Sequence, residues 1–569
     1  MGILGEQQRP GGSRLANKST VTAPTIRTDQ ADVARSSSPR VVVAMSDLKP
    51  GGSTHSRRGR LSVRSATGDV IVGLDVGTTG VKAVAFDLAN RRRTVAIREY
   101  PLIQPSPGQQ VQDPAVIIAG AHAALCECLA DARGSSVLAI SLSAAMHGLI
   151  ALDDSCRPIT ALITWADERA RTEAIELASD PAAFDLQAVT GTPVHPMTPL
   201  VKLEWFRRND PATFSAARWW VGLKDYLIFW LTGILATETS SASGTGLLDV
   251  TTRTWSPEAM AACGIDQQRL PEILPTTAVL PLRSDGPLAS SLGLEEGTPV
   301  AVGAADGPLA NLGSGAVDVG IAGMSLGTSG AIRVATDGPR PDRLGRVFSY
   351  ALVEPLWVAG GAISNGAEVL RWAARTLSPG APNGAPGDPP TDPTQGVADD
   401  SGGVVMLPFL LAERPPIWNP ELAGAFVGLR HHHTEAHMRR AAMEGVCIQM
   451  RLLLDRVSAH HPVTSIRATG GAFRSPLWKS LMAAALERPM TVTGDEEGTA
   501  LGAAAVGLLA TGYSESLRDA AAALERQPEE ALRPEAIDPS LVKVFGELRS
   551  RTAVLVDALA ENVSTRSGP

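Results

Sequence analysis

From residue 69 onward, apolar residues fall into strand-length and helix-length runs that predict an α/β protein. The run DVIVGLDVGTTGVKAVAFDL reads as an apolar strand, a turn rich in Gly and Thr, and a second strand that ends near Phe86. Short apolar runs bounded by turn residues are typical of strands. A helical pattern over 114–132 precedes the strand SVLAISLSA. Helix and strand patterns continue to alternate, which favours sheets covered by helices.

A weaker copy of the opening hairpin appears about 250 positions later. The stretch AGMSLGTSGAIRVAT is again strand, small-residue turn and strand, and its turn at 326–330 corresponds to the first turn at 75–80. Internal similarity of this kind indicates duplication. We therefore predict an N-terminal domain over 69–313 and a C-terminal domain over 314–569, with a nucleotide held between them.

Two segments depart from this pattern. Residues 378–403 are rich in Pro, Gly and Asp and predict a mobile loop within the second domain. Residues 1–68 contain no aromatic residue and carry 11 Lys+Arg against 4 Asp+Glu, a net charge of +7. Such a segment buries too little apolar surface to offset its ordering entropy, so we predict a disordered basic extension. The basic extension can be a transit peptide. Alternatively, the assigned start codon lies too far upstream and translation begins at Met45 or a later codon, which is the favoured explanation.

Composition narrows the class of protein. A length of 569 residues suits two or three domains, and a net charge of −8 argues against a nucleic-acid-binding protein. No apolar run approaches the roughly 18 residues of a membrane span. The five cysteines form no C-x-x-C pair, which predicts free thiols in a reducing cytoplasm. We therefore expect a cytoplasmic protein that binds neither nucleic acid nor a membrane.

The first turn has the composition of a phosphate-binding loop. Its glycines let backbone N–H groups approach phosphate oxygens, and the hydroxyls of Thr78 and Thr79 add donors. Asp75, at the end of the strand, can hold Mg²⁺ through water, and Lys82 can offset phosphate charge. An ordinary tight hairpin explains the same residues. The second copy at 326–330 favours phosphate binding, and the chain has no P-loop motif.

Asp306 follows the apolar run TPVAVGAA, so it lies at the predicted end of a strand. A carboxylate there can accept the proton of a hydroxyl that attacks the γ-phosphorus of ATP. Asp also favours helix N-caps, and the sequence PLANLGSGA follows closely. The cap is therefore the alternative, and the accompanying phosphate loops favour the base.

Two loops after strands predict contacts with a polyol. Met146 and His147 follow one strand, and Trp165, Asp167 and Arg169 follow another. A Trp ring offers a flat face to sugar C–H bonds, while His, Asp and Arg supply directional hydrogen bonds to hydroxyls. A lone His after a strand is usually structural, but this clustering favours a sugar site.

A third glycine turn, in ATGGAFRSPLWKSL at 468–481, precedes a predicted helix. Gly470 and Gly471 let a nucleotide's ribose and base lie against bare backbone. Together with the loops above, this turn predicts ATP and Mg²⁺ as the cofactors.

These motifs resemble the FGGY carbohydrate kinases over about residues 70 to 510. Two long family signatures are present, MTPLVKLEWFRRN at 197–209 and a second that runs from Gly424 to Glu444. The resemblance implies an actin-like ATPase fold with two ribonuclease H-like domains around a nucleotide and sugar cleft. It also implies site roles, as follows: Asp306 as catalytic base; Met146, His147 and Trp165 at sugar contacts, with Asp167 and Arg169 in the adjoining motif; Thr78, Thr79 and Lys82 in the first phosphate loop; Gly327 and Thr328 in the second; Gly470, Gly471 and Ala472 in the adenosine turn.

Within the family, the phrases around His147 and His195 are most similar to those of the gluconate kinases, which implies conversion of D-gluconate and ATP to 6-phosphogluconate. A cation should then meet the substrate carboxylate, and the sequence offers four candidates: Arg169, Lys202, Lys224 and His195. One departure from the family is Glu487, where relatives usually carry a Gly before Arg-Pro.

The sequence is also compatible with other functions. A kinase for a neutral polyol or ketose, such as xylulose, ribulose or glycerol, would share every catalytic element. A non-catalytic regulator that binds sugar and ATP would lack the base, and a chaperone-like ATPase would lack the sugar loops. The expected partner is a sugar or sugar acid, not a nucleic acid or a membrane, and a homodimer is left open.

Overall fold

The computed structural model describes residues 68–132, 134–377, 397–411, 413, 422–494, 497–525, 531–533 and 538–566. The predicted N-terminal extension, apart from Gly68, lies outside the described residues. So does most of the predicted loop at 378–403.

The first sheet is built around the predicted hairpin. Six strands lie in the spatial order Val279–Pro281, Pro299–Ala305, Ser136–Ala144, Asp69–Val76, Gly80–Asp87 and Arg93–Glu99. Among the last three, each strand is antiparallel to its neighbour, whereas the second, third and fourth run parallel. The predicted hairpin and the strand after the first helix are thus confirmed.

The second sheet repeats this topology. Its seven strands lie in the spatial order Phe348–Ala351, Trp357–Ile363, Gly330–Thr336, Ile321–Leu326, Ser465–Thr469, Met490–Val492 and Ala531–Leu532. Again the opening strands form an antiparallel hairpin, and two parallel strands continue the sheet on the other side. The duplicated ribonuclease H-like arrangement is therefore present. The chain leaves the first sheet at Ala305 and enters the second at Ile321, on either side of the predicted boundary near residue 314.

Helices and short ladders complete the described structure. The α-helices span Pro114–Asp131, Arg171–Ser179, Ala182–Thr190, Pro199–Asn209, Pro211–Ala216, Leu223–Thr232, Thr239–Ser243, Pro257–Cys263, Leu288–Leu292, Asp306–Gly313, Glu368–Leu377, Glu435–His460, Pro476–Leu486, Gly498–Ala510, Leu517–Leu524 and Pro539–Arg566. Short 3₁₀ helices span Gln267–Arg269 and Gly471–Arg474. Two-stranded ladders pair Val111–Gln112 with Leu162–Ile163, Ile150–Leu152 with Trp219–Val221, Ala236–Glu238 with Glu272–Leu274, Leu248–Asp249 with Thr254–Trp255, and Val405–Leu407 with Ala425–Val427.

The helix Pro114–Asp131 shows how local sequence sets these elements. The Asp113 side chain accepts the backbone N–H of Ala115 at the N-cap, and proline occupies the first turn, where no N–H is needed. By length and composition the helix is apolar enough to span a membrane. Its buried face instead packs against the strands Gly80–Asp87 and Arg93–Glu99. It is therefore a core helix of the first sheet.

Two helices pack against each other with their backbones in close contact. The helix Gly498–Ala510 packs on the central strands of the first sheet and against the helix Asp306–Gly313. A Cβ atom built at Gly313 would lie 1.6 Å from the carbonyl oxygen of Gly498, and one built at Gly502 would lie 2.2 Å from that of Leu309. Larger residues cannot occupy these positions without separating the helices.

Glu487 ends the helix Pro476–Leu486 in the left-handed conformation, with φ of 51°. Glycine adopts this conformation without the Cβ penalty and is the usual residue at such helix ends. Glu487 also accepts a hydrogen bond from Arg451. Both Glu487→Gly and Glu487→Ala lose this bond, so they differ only in their backbone preference. We expect Glu487→Gly to be more stable than Glu487→Ala by about 1 kcal/mol in urea unfolding. Equal stabilities would contradict this.

Candidate active site

Three parallel strands of the first sheet end at one edge and bring the candidate residues together. These strands end at Val76, Ala144 and Ala305, and each is hydrogen-bonded to the next. Residues that follow the carboxyl ends of neighbouring parallel strands share one edge of a sheet, which is where α/β proteins bind ligands. The first phosphate loop, Met146 and Asp306 therefore lie side by side.

Asp306 is the first residue of its helix, and Ala305 takes the N-cap position, so the capping alternative does not describe it. Its Oδ1 atom accepts the backbone N–H groups of Gly307 at 2.8 Å and Met146 at 3.2 Å. Burial raises the pKa of this carboxyl above its usual range, and the positive charge of Arg333 opposes that rise. A carboxylate oriented in this way can accept a proton from a bound hydroxyl.

Asp75 shares this part of the site with Asp306. The Ser143 hydroxyl donates to Asp75 Oδ1 at 2.9 Å. Burial, followed by the negative charge of Asp306, raises the pKa of Asp75 to about 6. Mg²⁺ commonly binds through one or two carboxylates, several waters and substrate phosphates. The carboxylates of Asp75 and Asp306 therefore fit a cation shared with nucleotide phosphates. Among the described residues, no group of three or more His, Cys, Asp or Glu is suited to a metal.

The raised pKa of Asp75 predicts a cost to folding that Asn would remove. Its folded-state pKa of about 6 exceeds the unfolded value of about 4, so the cost is absent below pH 4 and complete above pH 6. In the absence of Mg²⁺ and ATP, we expect Asp75→Asn to raise the free energy of unfolding at pH 7.5 by about 1 to 3 kcal/mol. Urea unfolding at pH 4 and pH 7.5 tests this.

The exposed residue Asp69, on the same strand, provides the control. Asp69→Asn should leave stability unchanged at both pH values. An Asp75→Asn protein that is no more stable than the unmodified chain at pH 7.5 would contradict the prediction.

The first phosphate loop is held by side chains from three other segments. The Tyr100 hydroxyl donates to the carbonyl oxygen of Gly77 at 2.6 Å, and Gln112 Nε2 donates to that of Thr78 at 2.7 Å. Trp165 Nε1 donates to Thr78 Oγ1 at 2.9 Å. The candidate sugar loop is thus bonded directly to the candidate phosphate loop.

The remaining residues of this loop lie at its tip and base. Thr79 is exposed at the tip of the hairpin. Lys82 lies opposite Asp75 in the strand register, and its positive charge lowers the pKa of that carboxyl. Their predicted contacts with phosphate stay predictions.

His147 has a strained backbone, with φ of 64°. Non-glycine residues in this region cost about 1 to 3 kcal/mol and are concentrated at functional sites. The ring is fixed by a 2.7 Å hydrogen bond from Nδ1 to the carbonyl oxygen of Gly244 and by an edge contact with Tyr350. The strain and the fixed ring fit a residue that positions a ligand.

Asp167 and Arg169 form an ion pair beneath the Trp165 loop. Two guanidinium nitrogens of Arg169 donate to the two carboxylate oxygens at 2.8 and 2.9 Å. Asp167 is 1% exposed and also accepts the backbone N–H of Gln110, whereas Arg169 lies over the Trp205 ring. Asp167 therefore supports the loop from inside, and its predicted contact with the sugar stays a prediction.

The buried side chain of Lys202 links the candidate sugar loops by hydrogen bonds to their backbone. Its Nζ atom donates to the carbonyl oxygens of His147 at 2.6 Å, Thr164 at 2.8 Å and Met197 at 2.8 Å. The side chain is 1% exposed, and burial lowers its pKa to about 7. The ammonium group is fully used in holding these loops, so it is not available for a substrate carboxylate.

The other candidate cations are also engaged. Lys224 forms a buried ion pair with Glu238 at 2.9 Å. His195 Nδ1 accepts the backbone N–H of Met197 at 3.2 Å. Like Arg169, each of these groups has a protein partner.

The candidate nucleotide residues lie at the corresponding edge of the second sheet. The parallel strands Ile321–Leu326 and Ser465–Thr469 end beside each other. Gly470 has φ of 117°, and a Cβ atom there would lie 2.3 Å from the carbonyl oxygen of Leu326. Only glycine permits this approach, which brings the turn at 470–472 next to the turn at 327–329.

The exposure of these two turns differs along their length. Gly327, Thr328, Gly470 and Gly471 are exposed, whereas Ala472 is buried. Thr328 is held from behind, since its hydroxyl and carbonyl oxygens accept bonds from Arg371 and from the N–H of Gly366. The backbone of these glycines is thus accessible from solvent.

The arrangement is that of a carbohydrate kinase. The chain belongs to the FGGY family of carbohydrate kinases: the family's N-terminal domain matches residues 70–313, and its C-terminal domain matches residues 322–511. A gluconokinase of Bacillus licheniformis is 35% identical over 457 residues, covering 78% of this chain and 88% of that protein.

Solved structures agree with this assignment. A gluconate kinase from Lactobacillus acidophilus superposes with a TM-score of 0.80 at 30% identity, covering 88% of this chain and 100% of its own. A ligand-bound xylulose kinase from the same organism gives 0.81 at 30% identity, with the same coverage of both chains. The predicted family and fold are confirmed.

Proposed function

We propose that this protein is an ATP-dependent kinase that phosphorylates the terminal hydroxyl of D-gluconate to give 6-phosphogluconate. The observation that carries the proposal is the position of Asp306, whose carboxylate is oriented by Met146 and Gly307 at the edge shared with the first phosphate loop. The similarity to gluconokinases supports gluconate as the acceptor.

In this proposal each half of the chain has a separate task. Residues 69–313 supply the sugar loops and Asp306, which takes the proton of the attacking hydroxyl. Residues 314–569 supply the glycine turns at 327–328 and 470–472, which hold the nucleotide. Mg²⁺, held near Asp75, would neutralise charge on the phosphates. Closure of the halves on both substrates would exclude water and limit ATP hydrolysis.

The cysteines indicate the cellular compartment of the proposed enzyme. All five cysteines are free thiols, and four of them are buried. Free thiols fit a reducing compartment, so we place the enzyme in the cytoplasm. Its partners are then the sugar acid and the nucleotide.

A neutral ketose is the second candidate acceptor, because the xylulose kinase structure is as similar as the gluconate kinase structure. A coupled ADP-release assay with Mg-ATP separates the two, using gluconate, xylulose, ribulose, glycerol and erythritol. Highest kcat/KM on gluconate would support the proposal. Highest kcat/KM on a neutral sugar would replace the acceptor, and no turnover with any of them would contradict both.

A further inference from the structure

Arg333 reaches the sugar site from the second sheet, a feature that the sequence motifs did not indicate. It lies on the strand Gly330–Thr336, where its partners on the two neighbouring strands are Gly323 and Gly360. Because both partners are glycines, no side chain from the directly paired residues stands beside Arg333. The guanidinium can therefore extend toward the first half of the chain.

The end of this side chain lies beside the candidate base. A Cβ atom built at Gly307 would be 3.4 Å from Arg333 Nε, 3.5 Å from its NH2 nitrogen and 3.3 Å from Met146 Sδ. Gly307 directly follows Asp306 in the chain. The guanidinium, the Met146 side chain and the start of the helix Asp306–Gly313 thus surround the same small space.

Arg333 differs from the other cations of the site because its guanidinium has no hydrogen-bonded partner among the described residues. Within the described part of the chain it forms neither a hydrogen bond nor a close ion pair, and Asp306 acts on it through charge alone. Arg169, Lys202 and Lys224, in contrast, are bonded to a carboxylate or to carbonyl oxygens. A partly buried guanidinium without an acceptor is costly, and a ligand anion would remove that cost.

The charge of the site points to the same ligand. Asp75 and Asp306 already place two carboxylates at the edge of the first sheet where the acceptor would bind. A sugar acid brings a third negative charge into this space. Without a facing cation its binding would be opposed by both carboxylates.

We propose that Arg333 binds the carboxylate of the sugar acid and so determines the preference for a sugar acid over a neutral sugar. The inference rests on the proposed function, since it assigns the substrate class to that same site. Arg presents a planar fork that matches a carboxylate in two parallel hydrogen bonds, which makes it suited to this task.

Arg333→Met tests the assignment with two acceptors of equal chain length, D-gluconate and its neutral counterpart D-glucitol, together with D-xylulose. We expect kcat/KM for gluconate to fall by about 100-fold, mainly through KM, because a charge-assisted contact is lost. Activity on the neutral acceptors should be retained or increased. Gluconate should also lose its ability to raise the melting temperature of the variant in the absence of ATP.

Two further variants control the result. Arg340→Met removes the same charge from an exposed arginine that pairs with Asp337, and it should leave all activities unchanged. Arg333→Lys keeps the charge in a shorter side chain, so it should fold normally and retain part of the preference for gluconate. It also provides the comparison if the Met variant fails to fold.

The outcomes separate this inference from the proposed function. If the unmodified enzyme prefers gluconate but Arg333→Met loses kcat equally on every acceptor, Arg333 serves the transferring phosphoryl group and the inference is wrong. An unchanged acceptor preference also overturns it. If the unmodified enzyme prefers a neutral sugar, the proposed function itself has failed.

Discussion

Asp306→Asn lowers kcat by about 1,000-fold and leaves ATP affinity nearly unchanged, the expected loss when a general base is removed. Asn keeps the side-chain oxygen that accepts the N–H groups of Gly307 and Met146, so the local structure is preserved. It cannot take a proton from the attacking hydroxyl. The measurements are steady-state turnover in the ADP-release assay and ATP binding by calorimetry.

A matched control is Asp285→Asn, which alters an exposed carboxylate that pairs with Arg283. It should leave kcat unchanged. Loss of ATP binding in Asp306→Asn would show that the residue serves the nucleotide, and retained turnover would end its assignment as the base.

Lys202→Met is expected to lower the free energy of unfolding by about 3 to 5 kcal/mol, because it removes the ammonium group shared by three buried carbonyl oxygens. Met has a similar volume, so the loss comes from the unsatisfied acceptors rather than from a cavity. The carbonyls belong to the loops that carry His147 and Trp165. KM for the sugar should therefore rise as well.

Urea unfolding and acceptor kinetics measure the two effects of Lys202→Met separately. Lys543→Met makes the same chemical change at an exposed helical position and should alter neither stability nor KM. A Lys202→Met protein within about 1 kcal/mol of the unmodified chain would show that water replaces the ammonium group as donor.

The sequence predicted those features that depend on neighbouring residues. Both hairpins were predictable because strand, small-residue turn and strand follow one another in each. Asp306 was predictable because it comes directly after an apolar strand. The glycine turn at 470–472 was predictable because the conformation of Gly470 leaves little choice of residue. In each case a short stretch contains the physical cause.

The sequence placed Lys202 in the family signature at 197–209, but it did not indicate that Lys202 holds the sugar loops together. Its acceptors are backbone carbonyls at positions 147, 164 and 197, and any residue type supplies a carbonyl. The support that Tyr100 and Gln112 give to the phosphate loop was missed for the same reason. Arg333 was missed because it approaches from the other half of the chain, and only the folded structure brings it to Gly307.

The helix Gly498–Ala510 is synthesised long after the sheet that it covers. It covers strands that begin at Asp69, although more than 400 residues separate the two in the chain. During synthesis from the N-terminus, the first sheet emerges from the ribosome long before the helix that seals it. One of its apolar faces is then uncovered for most of translation, and exposed surface of this kind favours aggregation. We therefore expect efficient production of this enzyme to depend on chaperones that bind nascent chains.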